Sequence, residues 1–394
     1  MSPASPETTL PAPITAPPSK DELAARLAQV QRRMRDEGLD VYVSFDPVNV
    51  YYLTHFANNV HERPFLLLIP QQGTPTILAP LLETSHVRAR ALCDLEYATY
   101  YEFPAPEGEN WWDVYAQLID SGARVGIEPA MPAGILERTP GKTTVSDIID
   151  EARIVKSAYE IGRNAHACQV VELGHEKLLE TSRPGAIVGS VYAAASGAMM
   201  ARILADIPRA NLMVTRTVGA VWPPSLSDDP HIIPTFDTQI EEAGPHVTIA
   251  FCQVDGYGVE LERTFFLGSV PEAARAPFDA MFEARARAFE LARPGADMGS
   301  IDTAVRKLIH DRGYGDRILH RTGHGFGITG HEAPYLAEGY HRDLEPGMLV
   351  SIEPGIYIPG LGGFRHSDTV LITESGAVSL THAPETLDEL TISL

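Results

Sequence analysis

The chain has 394 residues, 44% of them hydrophobic and 21% charged, enough to bury a large core in two or three domains. Its formal net charge of −21 repels phosphate backbones and anionic lipid, which argues against nucleic acid and membrane partners. No apolar run approaches the roughly 18 residues that span a bilayer, and the first residues lack the basic-then-apolar order of a signal peptide, so a cytoplasmic location is expected.

Residues 1–19 are rich in Pro, Ser, Thr and Ala and read as a disordered tail. Leu23, Leu27, Val30 and Met34 then recur on one helical face, which Gly38 ends. Short apolar runs bounded by Pro and Gly predict strands at 41–45, 65–69, 74–79 and 124–128, with helices near 83–92 and 111–121. This alternation predicts an α/β domain over residues 20–150. Long helices are expected at 156–182 and 188–206. Asp255-Gly256 then marks a hairpin between two long strands. Helices near 271–292 and 300–312, and strands at 348–358 and 367–373, complete an α+β domain over 155–394. The three cysteines, Cys93, Cys168 and Cys252, form no metal spacing and no disulfide framework, and read as buried reduced thiols.

Polar residues gather in four segments of the second half. They are SDDPHIIP with His231, GYGVELERTFFLG with Glu260 and Glu262, TGHGFGITGHE with His324 and His331, and SIEPGIYIPGLGGFRHSD with Glu353, Arg365, His366 and Asp368. Residues two apart on a strand share a face, so Glu260 and Glu262 point the same way. Crowded carboxylates raise one another's proton affinity unless a cation or imidazole joins them. Acid/base sites are built this way, as are ordinary ion pairs.

These segments resemble, in order and wording, the pita-bread family of creatinase, aminopeptidase P and methionine aminopeptidase. The phrases are GHG-x-G…HE-x-P (His324 to Pro334), S-I-E-P-G-x-Y (Ser351 to Tyr357) and GG-x-R…D (Gly362 to Asp368), with PVNVYYLTHF (47–56) in the first half. The resemblance implies an α/β N-terminal domain joined to an α+β pita-bread domain. The family's metallopeptidases hold two metals through two Asp, one His and two Glu. Those positions fall here on Ile249, Glu260, His324, Glu353 and Ser367, so two bridging carboxylates are missing.

The LERT string, within Gly256 to Phe266, is similar to creatinase. That similarity implies a metal-independent hydrolase of a C–N bond in a small carboxylate-bearing solute, with no cofactor expected. His231 would be the general base and acid, Glu262 would orient the substrate's amidine or amide, and His324 and Glu353 would stabilise developing charge. Arg63 (from a partner protomer in a homodimer), Glu260, His331, Tyr335, His366 and Tyr257 are the expected substrate contacts. The alternatives are an Xaa-Pro-type metallopeptidase with one ion on Glu260, His324 and Glu353, and a lyase on a small charged solute.

Overall fold

The computed structural model describes residues 10–394, and the chain divides into two compact units. One runs from Ala16 to Arg153. The other runs from Ile154 to Leu394 and takes in the segment before Ala16.

The first unit is built on a six-stranded mixed sheet. Its order is Glu96–Tyr100, Thr76–Pro80, Leu66–Pro70, Val41–Ser44, Arg124–Ile127, Lys142–Val145. Helix Lys20–Asp36 opens it, with the Ser19 hydroxyl accepting from Glu22 N and Leu23, Val30 and Met34 buried. The PVNVYYLT phrase is a helix, Pro47–Thr54, capped by Asp46. Asn49 in it donates to the buried Glu128 carboxylate and accepts from Arg153. Glu128 also takes Ser44 Oγ and the amides of Phe45 and Asp46, so a carboxylate in the core is fully satisfied.

In the second unit two long helices, Ala158–Thr181 and Val188–Asp206, pack on a sheet of order Thr391–Ile392, Thr264–Leu267, Ala243–Val254, Arg216–Trp222. Tyr257–Leu261 pairs with Ala243–Val254 across the expected turn. Asp255 (φ 51°) and Gly256 (φ 99°) there take the left-handed backbone that a two-residue hairpin loop requires. A second sheet runs Glu332–Leu336, Gly323–Gly325, Leu349–Ile352, Asp368–Thr373, Gly376–Ser379. The two sheets meet where Glu262 and Ser367 exchange backbone hydrogen bonds, each 3.1 Å long.

Two expectations change. The part of the expected tail formed by residues 1–9 lies outside the described residues. The segment that follows is held: Ile14 N donates to Gly162 O at 2.9 Å, and Arg163 Nη1 donates to Thr15 O at 2.9 Å. The expected strand 348–358 is two strands, Leu349–Ile352 and Gly355–Ile358, because Pro354 cannot donate to a ladder and bends the chain after Glu353.

Candidate active site

The meeting of the two sheets places acids and imidazoles from distant segments in one cleft of about 1260 Å³. His231, Glu260, Glu262, His324, His331 and Glu353 all line it, so these expected residues come together. Glu260 lies in the strand Tyr257–Leu261 and Glu262 just beyond its end, and both face the cleft. Glu353 sits at the corner made by Pro354, and its Oε1 accepts from Ser351 Oγ at 3.0 Å. His324 comes from the short strand Gly323–Gly325. A Cβ at Gly323 would lie 2.1 Å from the Ser351 carbonyl oxygen, so only glycine lets this strand lie so close.

His324 is 1% exposed. Its Nδ1 pairs with Gly325 O at 3.1 Å, which directs Nε2 into the cleft. Nε2 lies 3.1 Å from Glu353 Oε1 and 3.6 Å from Glu260 Oε1, yet makes no hydrogen bond of acceptable angle among the described residues. Burial favours the neutral ring, but Glu353 and Glu260 outweigh it and lift the imidazole to about 10. Burial likewise disfavours the ionised Glu353, and His324 overrides it, holding the carboxyl well below its usual range. His331 stacks on His324 with ring centroids 3.6 Å apart.

A buried imidazole nitrogen facing two carboxylates fits one divalent ion. Ligand atoms of Glu260, His324 and His331 all lie within 4.8 Å of one another, as do those of Glu260, Glu262 and Glu353. Two of the five positions that hold two ions in the family's metallopeptidases lack their carboxylate here. Ile249 lines the cleft without a lone pair, and Ser367 Oγ donates to Glu260 Oε1 at 3.0 Å. Glu262 is also taken: Arg365 Nη2 donates to its Oε1 at 2.8 Å, and Arg365 Nε pairs with its Oε2. Burial, with Glu260 and Glu353 nearby, pushes the Glu262 carboxyl up to about 8, against the pull of the forked contact with Arg365. The expected grip of Glu262 on a substrate amidine is therefore corrected, because the protein's own guanidinium occupies that carboxylate.

Three expected substrate contacts of the second unit, His366, Tyr335 and Tyr257, do not line the cleft. His366 is fully buried, edge-on to Phe278 and Phe282 at 5.4 and 6.3 Å. Its neighbours Arg365 and Ser367 face the acids, and the period of two turns His366 the other way. Tyr335 does not line the cleft but carries Arg321 over its ring at 4.6 Å. Tyr257 is core, edge-on to Tyr159 with Arg163 over its ring. Arg63 belongs to the N-terminal unit, where Glu62 and Glu102 pair with it, each at 3.3 Å.

Sequence reasoning assigned no role to Arg365, Arg321, His320 or Tyr357. Arg365 Nη1 donates to Tyr357 Oη at 3.1 Å, and Tyr357 Oη lies 2.7 Å from His320 Nε2. His320 Nδ1 is 2.8 Å from Arg321 O, so the phenol donates to His320 and holds Arg365 from behind. Strand alternation was the available signal, since it puts 365 and 367 on one face.

Residues 26–155 match the Creatinase/Prolidase N-terminal domain, and residues 221–374 match Metallopeptidase family M24. The Xaa-Pro dipeptidase of Pyrococcus horikoshii is 30% identical over 276 residues, covering 68% of this chain and 76% of the relative. The chain belongs to metallopeptidase family M24. The Xaa-Pro dipeptidase of Pyrococcus furiosus is 28% identical over 363 residues, 90% of this chain and 97% of the relative. The crystal structure of dipeptidase PepE from Mycobacterium ulcerans superposes with a TM-score of 0.80 at 26% identity, covering 96% of this chain and all of that one. The M24 chain thus has the expected two-domain pita-bread fold, an α/β unit joined to an α+β unit.

These similarities overturn the reading closest to creatinase. The relatives are dipeptidases in a family of metallopeptidases, not metal-independent hydrolases of non-peptide C–N bonds. The expectation of no cofactor is corrected by the same finding. What misled was LERT, whose Glu262 is present but already neutralised by Arg365.

Proposed function

We propose that the protein hydrolyses short peptides of the Xaa-Pro dipeptide class at a divalent metal centre held by Glu260, His324 and Glu353. The observation that carries this reading is the buried His324 Nε2, which faces the Glu353 and Glu260 carboxylates at 3.1 and 3.6 Å inside the segment that matches the M24 family. The names of the relatives supply the substrate class.

When bound, the ion supplies Lewis-acid chemistry to an amide carbonyl and a water. The chain's own residues do the rest. His231, exposed at the mouth, is placed to move a proton at the departing nitrogen. His331, stacked on His324, offers a second imidazole beside the reacting carbonyl. Arg321 lines the cleft, forms no ion pair among the described residues, and suits the carboxylate of a dipeptide. Tyr192, Trp222, Ile232 and Phe236 form an apolar wall for the prolyl ring and the preceding side chain.

The test is a panel of Xaa-Pro dipeptides offered to protein stripped of metal and reloaded with Mn²⁺. Turnover should need the ion and fall by at least about 100-fold in His324→Ala. Unchanged turnover in that variant, or no cleavage of any dipeptide by the reloaded protein, overturns the reading.

A further inference from the structure

Three carboxylates face the cleft, Glu260, Glu262 and Glu353, and one guanidinium is buried among them. We infer that this site holds a single divalent ion, and that Arg365, held by Tyr357, keeps Glu262 from ligating a second. The inference rests on the metal-centred reading above and adds its stoichiometry.

The positions that would ligate a second ion are filled by groups with other tasks. Ile249 has no donor atom. Ser367 spends its hydroxyl on Glu260, which holds a ligand of the one remaining ion in place. Glu262 has both oxygens on Arg365. Arg365 itself is 7% exposed and tethered by Tyr357, so it stays where a mobile side chain would swing away.

The experiment counts ions. Chelator-stripped protein is reloaded with Mn²⁺, desalted, and read by elemental analysis and electron paramagnetic resonance. The expected result is one Mn²⁺ per chain with the spectrum of an isolated ion. Two per chain, or the spectrum of a coupled pair, overturns the inference. The triple variant Ile249→Asp, Glu262→Thr, Ser367→Glu should take up a second Mn²⁺. If it folds by circular dichroism and still binds one, these positions do not set the stoichiometry. Should it not fold, the wild-type count decides alone. One ion without dipeptide hydrolysis sinks the substrate reading and supports this one; two ions with hydrolysis does the reverse.

Discussion

Glu262 shows how one side chain can be read correctly for place and wrongly for role. Its strand position puts it in the cleft, but its charge is consumed within the protein by Arg365. A buried ion pair of this kind is costly to break from one side, because the surviving charge has no solvent. Glu262→Gln should therefore lower stability by about 3–5 kcal/mol. Combining it with Arg365→Met, which removes both charges, should restore much of that loss, as chemical denaturation would show. If Glu262→Gln instead left stability intact and raised only KM, the carboxylate would be a substrate contact after all. The pairing itself was not legible, because ion pairing across two sheets leaves no mark on local sequence.

At the scale of the element, the strand leading through Arg365, His366 and Ser367 sorts three neighbours by parity. Two face the acids and one faces the core. Among the described residues His366 has no hydrogen bond to either ring nitrogen, and it packs against Phe278 and Phe282, where a hydrocarbon of similar size would sit at least as well. His366→Leu should leave kcat and KM for dipeptides unchanged and keep or raise the melting temperature; a higher KM would return the residue to the site. Periodicity and turn chemistry made much of the architecture legible. Helix Val188–Asp206, the Asp255-Gly256 turn and the alternation of the first domain all followed from spacing. What escaped were elements defined by long-range pairing. Arg216–Trp222 is one, and the short strands Gly323–Gly325 and Glu332–Leu336 are others. Three-residue strands carry no period, and Gly323–Gly325 exists because Leu349–Ile352 and Glu332–Leu336 flank it. The candidate ligands were legible as residue types in order; their convergence needed the pairing of sheets.

For the whole molecule, burial of neutral imidazoles predicts acid sensitivity. Burial holds His175 down at about 3 and His246 at about 4. Because these folded values lie below the ordinary one, the unfolded chain binds protons first as pH drops. Their contribution is complete above about pH 6.5 and is lost as pH falls toward the folded values. Each imidazole accounts for at most about 1.4 kcal/mol per pH unit in that window. Urea midpoints should decline between pH 6.5 and 5, and His175→Leu should flatten the decline. A wild-type midpoint that is level across that range would contradict the assignment. This effect sits in the helix Ala158–Thr181 and the strand Ala243–Val254, so it concerns the stability of the fold rather than the ligands.

The Gly323–Ser351 approach has a consequence for the order of events in folding. His324 reaches Glu353 only when its three-residue strand has slotted between two others, and Glu260 reaches them only when the sheets have joined at Glu262 and Ser367. Loop closures over such long stretches of chain come late. No short segment of the polypeptide can assemble this pocket in advance, so a cation cannot seed the structure. It arrives instead as a latch on a finished frame, and the frame must be sound without it.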